Sequence, residues 1–528
     1  MPERLSLRPQ HVTPRPLAAT AVLLGLTPST AGADPVVMGI THDSRQVRPG
    51  DLYAALPGAR AHGATFAAAA AAAGAVAVLT DSAGAEMVSG LPTLVVAEPR
   101  TRLGEVAAHV YGQPARDLLM FGVTGTNGKT TTAYLLESGL RAAGHRTGLL
   151  GTVETRVGDQ RVASVRTTPE ATDVHALLAV MRERGVTACA MEVSSHALVY
   201  GRVNGIGYDV VGFTNLSQDH LDFHADLDEY FAAKAGLFTA ERARRGVVCV
   251  DDVFGRTLAD RSTRSGAVPI ATFATQPTGV AATASADWRV TAREVAADGS
   301  TKAQLEHRDG RRLPVTSPIP GAFNVANAAL AVLMLVEAGV EPAVAARGVA
   351  ACPGVPGRMQ RVPGKPDDPL VVVDYAHTPD AVETVLQALR PSTMGRLVVV
   401  IGAGGDRDSR KRPLMGAAAA RFADVVVVTD DNPRSEDPGQ IRAAVLAGAK
   451  ATPGESEIVE VGDRREAIRA GLETAVGPDD TVVVVGKGHE QGQEIEGVVH
   501  PFDDRVVLRQ LLRERDDQRG DGHQEATR

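Results

Sequence analysis

The sequence predicts an α/β protein of three domains. Its 528 residues are enough for roughly three domains of ~150 residues each. Apolar runs of strand length recur along the chain with helical stretches between them, which is the alternation of a parallel sheet. The run Pro353–Gly357 separates two such series, because proline and glycine interrupt both helices and strands.

Composition narrows the class of protein. A hydrophobic content of 44% supports buried cores. A net charge of −8 and only 4% aromatic residues disfavour a nucleic-acid surface, and with it a motor NTPase acting on nucleic acid. Cys189, Cys249 and Cys352 form no C-x-x-C pair, which indicates reduced thiols rather than a metal site. No run of about 18 apolar residues occurs, so we expect no membrane insertion.

The N-terminal extension, residues 1–34, resembles a secretory signal peptide in its charge pattern. Arg4, Arg8 and Arg15 precede the apolar run Leu17–Leu26. We interpret the run as a short amphipathic helix that opens a domain.

The first predicted domain covers residues 35–117. Asp51–Leu56 and Ala75–Leu79 are typical of strands. The alanine run 67–73 between them favours a helix, because alanine is the best helix former.

The central predicted domain, residues 118–353, opens on a phosphate-binding turn. Leu118–Val123 is typical of a strand and Ala133–Leu136 of a helix. Strict G-x-x-x-x-G-K-[ST] spacing would need glycine at Val123, so the turn is a shorter variant. Backbone N–H groups, a lysine and a hydroxyl are the groups that bind nucleotide phosphates and Mg²⁺. The turn consists of Gly125, Thr126, Asn127, Gly128, Lys129, Thr130 and Thr131.

Further strands are predicted after this turn. Ala188–Val193, Val210–Phe213 and Gly246–Val250 are apolar and separated by helical stretches, which predicts a mostly parallel sheet. From Trp288 to Val315 the pattern becomes polar and alternating, with turn signals at Asp298-Gly299 and Asp309-Gly310. We expect a hairpin excursion there.

Two strand ends in this domain carry groups suited to a metal. Glu192 ends a predicted strand beside the phosphate turn, where a carboxylate can hold Mg²⁺. The alternative is a solvent-facing loop carboxylate. Asn215–His224 is dense in Asp and His side chains, and its hard oxygen atoms suit Mg²⁺ better than zinc. His220 in this run could equally be a polar surface residue.

Lys234 lies in an apolar helical context, Phe231–Phe238. Its ordinary interpretation is a surface lysine whose stem covers apolar neighbours. The alternative is a buried amine with a lowered pKa, which could react with carbon dioxide to form an anionic carbamate.

The third predicted domain, residues 354–512, has the Rossmann-like alternation of a doubly wound sheet. Its predicted strands are Leu370–Val373, Leu397–Ile401, Val425–Val428 and Val482–Val485. Ligands of such sheets bind at the carboxyl ends of the strands. Residues 513–528 are charged and polar, and we expect a frayed tail without a function.

Three strand ends of this domain offer both signs of charge. Each carries glycine or polar residues next to arginine or carboxylate groups. Such a pocket suits a zwitterion such as an amino acid, because arginine can bind a carboxylate through two parallel hydrogen bonds. Ordinary loop chemistry is the alternative. The pocket residues are Arg407, Asp431, Asn432, Arg434 and Glu490.

These motifs together resemble the Mur ligase family of peptidoglycan synthesis from about Ile40 to Arg505. The resemblance lies in seven motifs: Asp43-Ser44-Arg45 with Pro49–Leu52, Gly125–Thr131, Met191–His196, Asn215–His220, Phe323-Asn324 with Asn327, Asp374–His377 and Gly486–Glu490.

The resemblance implies an N-terminal UDP-binding domain, a central ATPase domain and a C-terminal amino-acid-binding domain. It implies that Ser44 contacts the uridine nucleotide. The muramoyl-dipeptide arm would be bound by Thr167, Thr168, Ser194 and Arg202. ATP would be bound by the phosphate turn, with Lys129 on the phosphates and Asn324, Arg358 and Asp374 near the adenosine.

Catalytic roles follow from the same resemblance. Thr130 and Glu192 would hold one Mg²⁺, and His220 would lie near a second. Lys234 matches the family's carbamylated lysine, N6-carboxylysine, which would hold that second ion. The catalytic residues implied are Lys129, Glu192, His220 and Lys234.

The implied reaction is ATP-dependent addition of diaminopimelate to UDP-N-acetylmuramoyl-L-alanyl-D-glutamate. The amino acid would be bound by Arg407, Asp431, Asn432, Pro433, Arg434, Gly486 and Glu490. The Asp-Asn-Pro-Arg run marks diaminopimelate rather than lysine in this family, and the Asp-Ser-Arg motif disfavours a folate ligase. A nucleotide switch without ligase chemistry is the alternative from another class. We expect a cytoplasmic monomer that uses small-molecule substrates, ATP and Mg²⁺.

One residue and one short segment depart from the family's pattern. Tyr200 stands where many relatives have glutamine, which affects one substrate hydrogen bond. The segment Ala59–Ala61 does not match the first-domain loop of better-known members, which affects the uridine contacts.

Overall fold

The computed structural model describes residues 8–28, 34–164, 166–221, 223–275, 286–296 and 299–525. Within these ranges the strands form three large sheets and two two-stranded ribbons. The three sheets, each packed against helices, confirm the predicted α/β class with three domains. No helix among the described residues is long and apolar enough to cross a bilayer.

The first sheet is parallel and has four strands in the described part of the chain. The predicted N-terminal helix packs here, with Leu17, Ala21 and Leu24 buried in its core. The elements are β1 (Arg15–Pro16), α1 (Leu17–Leu23), β2 (Val36–Val37), β3 (Gly39–Thr41), β4 (Asp51–Ala54), α2 (Ala67–Ala72), β5 (Ala77–Thr80), α3 (Ser82–Ala85), β6 (Thr93–Val95) and α4 (Pro99–Val110).

The central sheet is the largest, with eleven strands among the described residues. Its elements are β7 (Leu119–Thr124), α5 (Lys129–Ala142), β8 (Thr147–Leu150), β9 (Glu154–Val157), β10 (Gln160–Ala163), α6 (Ala171–Glu183), β11 (Ala188–Glu192), α7 (Ser195–Val199), β12 (Tyr208–Phe213), α8 (Leu227–Ala235), β13 (Ala243–Cys249), α9 (Val253–Ser265), β14 (Ile270–Ala274), β15 (Trp288–Val295), β16 (Thr301–His307), β17 (Arg312–Ser317), α10 (Ala322–Glu337) and α11 (Pro342–Ala350).

The strand order of this sheet is β10-β9-β8-β11-β7-β12-β13-β14-β15-β16-β17. Seven neighbouring strands of this order are parallel, namely β8, β11, β7, β12, β13, β14 and β15. Antiparallel strands extend both edges, β9 and β10 on one side and β16 and β17 on the other. The predicted hairpin excursion is therefore present as β15–β17, although its Asp298 lies outside the described residues. Because β7 is central, the phosphate turn that follows it lies at the middle of the sheet's carboxyl edge.

The third sheet has six described strands in the order β18-β19-β23-β20-β21-β22, and only β18 is antiparallel. Its elements are β18 (Gln360–Val362), β19 (Leu370–Asp374), α12 (Pro379–Leu389), β20 (Leu397–Ile401), α13 (Lys411–Phe422), β21 (Val425–Val428), α14 (Pro438–Ala451), β22 (Glu457–Glu460), α15 (Arg464–Thr474), β23 (Thr481–Val485), β24 (Gly492–Ile495), β25 (Val498–Pro501) and α16 (Asp504–Glu525).

The last helix corrects the expectation for residues 513–528. Helix α16 continues to Glu525, so the expected frayed tail is wrong as far as that residue. Its first turns bury Leu508, Leu511 and Leu512. Arg515 donates to the carbonyls of Leu472 and Ala475, which anchors the helix beyond its apolar turns.

Candidate active site

The phosphate turn joins β7 to α5 in the predicted way. Gly128 has a positive φ of 88° and precedes the first residue of the helix, Lys129. The Lys129 ammonium donates to the carbonyls of Gly125 and Thr126 at 3.0 and 2.8 Å. Burial lowers the pKa of Lys129, and the nearby charges of Glu192 and Asp219 oppose this shift. The turn therefore presents a lysine and a helix N-terminus at one point.

Glu192 is buried beside the turn rather than exposed in a loop. Its carboxylate accepts from Thr130 Oγ1 at 2.9 Å, Thr152 Oγ1 at 3.0 Å and the Thr152 N–H at 2.7 Å. The structure thus brings together the hydroxyl and the carboxylate predicted for one Mg²⁺. Both are hard oxygen donors, and Mg²⁺ usually takes only one or two such protein ligands beside phosphate and water, so the pair fits this ion.

Lys234 is fully buried, which contradicts its interpretation as a surface lysine. Its ammonium nitrogen donates to the Gly125 carbonyl at 2.7 Å and lies 4.3 Å from the centre of the Tyr230 ring. Burial and the charge of Lys129 lower the pKa of Lys234 well below its ordinary value, with Asp219 acting in the opposite direction. A neutral amine next to the phosphate turn is the form that carbamate chemistry requires.

His220 lies in a cluster of rings at the edge of the same site. Its backbone has a positive φ of 55°, and its ring lies 4.9 Å from that of His196. Its Nε2 is 3.5 Å from Asp219 Oδ2. Burial lowers the pKa of His220 to about 4, partly opposed by Asp219, so its imidazole is neutral near pH 7. No group of three or more His, Cys, Asp or Glu side chains among the described residues forms a ready-made metal site.

The residues predicted near adenosine come from two domains. Asn324 is buried in the first turn of α10, where it donates to the Pro320 carbonyl and accepts from Asn327. Arg358 donates to Thr130 Oγ1 at 3.3 Å. Asp374 ends β19 and accepts from the Met359 and Ala376 N–H groups, and burial raises its pKa while Arg358 opposes the rise.

The residues predicted for the dipeptide arm lie next to Glu192 and Thr152. Thr168 Oγ1 donates to the Glu192 carbonyl and accepts from the Ser194 N–H. Thr167 Oγ1 is 3.0 Å from Thr152 Oγ1. Arg202 pairs with Glu170 at 2.8 Å. These segments form one polar wall that continues from the Glu192 carboxylate.

The unusual Tyr200 belongs to this wall. The guanidinium groups of Arg202 and Arg100 lie 5.5 and 5.6 Å from the centre of its ring. A tyrosine here thus stacks on arginines where a glutamine would donate hydrogen bonds.

Ser44 lies in the first domain, in the connection between β3 and β4. It opens a short 3₁₀ turn capped by Asp43, whose side chain accepts from the Arg45 N–H. His42 immediately precedes Asp43, and its Nδ1 lies 3.0 Å from Thr172 Oγ1. This contact joins the first domain to the central domain. Ala59–Ala61 is largely exposed and contributes no side-chain hydrogen bond among the described contacts.

The polar pocket of the third domain forms around Asn432. Its Nδ2 donates to Glu490 Oε2 at 2.8 Å. Its Oδ1 accepts from the Lys487 ammonium at 2.9 Å and from the Glu494 N–H at 3.0 Å. Lys487 is also 3.6 Å from both Asp431 Oδ1 and Glu490 Oε2. Burial and the charge of Asp431 raise the pKa of Glu490, while Lys487 and Arg434 oppose the rise.

The two arginines predicted for this pocket differ in their surroundings. Arg434, just after Pro433, donates to the Gly405 carbonyl at 2.6 Å and pairs with Glu494 at 3.3 Å. Arg407 is exposed and makes no hydrogen bond or ion pair within the described part of the chain. Gly486 has a φ of 109°, and a side chain there would collide with Asp431, so glycine is required.

The third domain is closed against the phosphate turn. Asp380, in the first turn of α12, accepts from Asn127 Nδ2 at 3.2 Å and Ser217 Oγ at 3.1 Å. Arg358 stacks on Tyr375, whose ring lies 5.2 Å from that of His489. The third domain therefore contacts the phosphate turn directly, at Asn127 and at Thr130.

Comparison with known proteins identifies the family. Three family models match the chain in order: "Mur ligase family, catalytic domain" at residues 36–111, "Mur ligase middle domain" at 123–335 and "Mur ligase, glutamate ligase domain" at 357–488. A protein of Streptomyces avermitilis named UDP-N-acetylmuramoyl-L-alanyl-D-glutamate–2,6-diaminopimelate ligase is 55% identical over 511 residues, covering 96% of this chain and 98% of its own.

The chain belongs to the Mur ligase family.

Other relatives agree over similar lengths. A Streptomyces coelicolor protein with the same name is 56% identical over 513 residues, covering 96% of this Mur ligase and 98% of its own chain. A solved structure of a ligase with that name is 33% identical, has a TM-score of 0.65 and covers 93% of this chain and 98% of its own.

Sequence reasoning missed two residues of the site of this Mur ligase. Thr152 donates a hydrogen bond to the Glu192 carboxylate, and Lys487 donates one to Asn432 Oδ1. Thr152 follows an apolar strand, which is the signal that singled out the other strand ends. Lys487 stood within the Gly486–Glu490 motif, but a lysine between two glycines gives no sign that it is fully buried.

Proposed function

We propose that this Mur ligase joins diaminopimelate to the D-glutamate of UDP-N-acetylmuramoyl-L-alanyl-D-glutamate with ATP, in peptidoglycan precursor synthesis. The observation that carries the proposal is the pocket around Asn432, which offers carboxylates and arginine in the domain that contacts the phosphate turn. Relatives at 55% and 56% identity carry the name of this ligase.

The three domains divide the substrates. We assign the UDP end to residues 35–117 with Ser44, ATP to residues 118–353, and the amino acid to residues 354–512. Thr167, Thr168, Ser194 and Arg202 would hold the dipeptide arm along the wall that begins at Glu192. In that placement the D-glutamate carboxylate would point toward the phosphate turn.

The reaction proceeds in two steps. The substrate carboxylate attacks the γ-phosphorus of ATP, forming an acyl phosphate and releasing ADP. The diaminopimelate amine then attacks the acyl carbon, the C–O bond to phosphate breaks, and an amide, phosphate and a proton result. No nucleophile of the protein is needed, so catalysis depends on positioning and on charge neutralisation by Lys129.

Mg²⁺ would neutralise phosphate charge during the first step. Thr130 and Glu192 would hold one ion, and His220 with Lys234 as its carbamate would serve a second. The neutral imidazole of His220 and the low pKa of Lys234 both support this assignment.

The pocket accounts for the choice of amino acid. Diaminopimelate carries a second carboxylate and ammonium at its distal end, whereas lysine carries only the ammonium there. Arg434 and Arg407 would bind the carboxylate, and Asp431, Asn432 and Glu490 the ammonium. We propose a cytoplasmic location, because the reaction draws on an ATP pool, and a monomer, because every residue assigned to the site comes from one chain.

An amino-acid panel tests the proposal. Purified protein is incubated with ATP, Mg²⁺, the UDP-dipeptide and LL-diaminopimelate, meso-diaminopimelate or lysine, and the UDP-tripeptide is measured by mass spectrometry. We expect product with a diaminopimelate isomer and little with lysine. Preference for lysine would instead identify a lysine-adding ligase. ATP hydrolysis independent of both other substrates would favour a nucleotide switch.

A further inference from the structure

Lys487 is a fully buried cation beneath the amino-acid pocket. Its side chain has no exposed surface, whereas the Glu490 side chain beside it is 32% exposed. Its ammonium nitrogen lies within 3.6 Å of three groups, the amide of Asn432 and the carboxylates of Asp431 and Glu490. A buried lysine is costly unless it is paired, so these contacts account for its burial.

Lys487 determines which way the Asn432 amide faces. Asn432 Oδ1 accepts from both the Lys487 ammonium and the Glu494 N–H. If the amide were rotated by half a turn, its NH₂ group would face two donors and its oxygen would face the Glu490 carboxylate. The observed orientation therefore leaves the NH₂ group on Glu490, and Lys487 supplies one of the two donors that fix it.

Lys487 also offsets the negative charge of the two carboxylates in the pocket, Asp431 and Glu490. Asp431 is buried and Glu490 is partly exposed beside it, and the charge of Asp431 favours protonation of Glu490. The charged or titratable groups that face Glu490 are Asp431, Lys487, Arg434, Arg464 and Tyr375. Arg464 already has its own partner, because its guanidinium makes two 2.8 Å hydrogen bonds to the buried Asp504.

We propose that Lys487 is the positioning residue of the amino-acid pocket, which orients the Asn432 amide and keeps Glu490 ionised to receive the substrate ammonium. The inference rests on the proposed function and extends it to a residue that would not touch the substrate. Loss of Lys487 would weaken amino-acid binding while leaving the ATP and UDP-dipeptide sites unchanged, since the described contacts of its ammonium are all to residues of the amino-acid pocket.

Two variants separate the hydrogen bond from the charge. Lys487→Gln retains a donor to Asn432 and removes the charge, whereas Lys487→Met removes both. Lys450→Met, at an exposed lysine of the same domain, is the matched control. For each protein, kcat and the KM of all three substrates are measured, together with the pH dependence of kcat/KM for diaminopimelate.

We expect the KM for diaminopimelate to rise about tenfold or more in Lys487→Met and less in Lys487→Gln, with the other two KM values unchanged. The acid limb of kcat/KM for diaminopimelate should move to higher pH in both, because loss of a nearby cation raises the pKa of Glu490 further. Lys450→Met should match the wild type.

An unchanged KM for diaminopimelate and an unchanged acid limb in a folded Lys487→Gln would overturn the proposal. An equal fall of kcat/KM for all three substrates would also overturn it, because that result indicates only a loss of folded protein. Lys487→Gln decides the question by itself where Lys487→Met does not fold. Failure of the wild type to ligate diaminopimelate would be a different result, since it would overturn the proposed function.

Discussion

Lys234 has surroundings that favour a neutral amine. It is buried, its amine contacts a carbonyl, and the cation Lys129 lies nearby. Such an amine can attack carbon dioxide and release a proton, leaving a carbamate. We expect Lys234→Ala to lower kcat at least about a hundredfold, because a charge-stabilising group next to the phosphates is lost. Added acetate should restore part of the activity by supplying a carboxylate in the space left by the side chain.

Lys302→Ala is the control for this variant, since Lys302 is exposed on β16 of the same domain. The wild type equilibrated with ¹³C-labelled carbon dioxide should show a carbamate signal in its NMR spectrum that Lys234→Ala lacks. Full activity in Lys234→Ala would exclude the catalytic role.

His175 predicts a pH dependence of stability. It is fully buried in α6, its Nε2 contacts the Asn204 carbonyl at 2.9 Å, and burial lowers its pKa to about 4 from an ordinary 6.5. Below pH 6.5 the unfolded chain binds a proton that the folded chain does not. Stability contributed by the neutral ring is therefore complete above pH 6.5 and lost as the pH falls toward 4, by up to about 3 kcal/mol.

His175→Gln isolates this effect, because glutamine can still donate to Asn204 but does not titrate. Urea unfolding at several pH values should show a shallower loss of unfolding free energy between pH 6.5 and 4.5 in the variant than in the wild type. Parallel curves would contradict the assignment.

At the scale of elements, the anchoring of α16 on α15 gives the next prediction. Arg515 donates to the carbonyls of Leu472, Ala475 and Val476, in the last turn of α15 and just beyond it. The last carbonyls of a helix have no partner within it, and a cation near them is favourable. We expect Arg515→Ala to lower the unfolding free energy by about 1–3 kcal/mol in thermal or urea denaturation. The neighbouring Arg513 is exposed, so Arg513→Ala should have little effect.

The buried strands of the third sheet were predictable from sequence. Leu397–Ile401 and Val425–Val428 begin and end at the predicted residues, because continuous apolar runs bounded by glycine or polar residues leave little choice. The edge strands Gln360–Val362 and Glu457–Glu460 were missed, since short, charged edge strands lack that pattern.

The site was predictable only in part, because a local sequence pattern shows which residues end a strand but not which residues contact them. Strand-end position selected Glu192 and Asn432, which the structure places in polar pockets. The partners that fix their orientation could not be chosen, because sheet pairing between distant segments brings Thr152 and Lys487 to them, through β8 with β11 and through β23 with β20 and β21. Burial of Lys234 was also beyond sequence alone, since its apolar helix suits a surface lysine equally well.

At the scale of the whole molecule, the contact between the third domain and the phosphate turn predicts coupling between nucleotide and domain closure. Asp380 of α12 accepts from Asn127 of the turn and from Ser217 of the loop after β12. The segment Pro353–Gly357 between the domains lies outside helices and strands, so it is the expected hinge.

Asp380→Ala removes this contact without changing a residue assigned to substrate binding. We expect a several-fold fall in kcat/KM for ATP and a larger radius of gyration by small-angle X-ray scattering, since the closed arrangement loses two hydrogen bonds across the interface. Asp367→Ala, at an exposed aspartate of the same domain, should change neither quantity. ATP with the UDP-dipeptide should return the variant toward the wild-type radius, because ligands that contact both domains favour closure. Equal scattering profiles and equal kinetics in the two proteins would show that the Asp380 contact does not control closure.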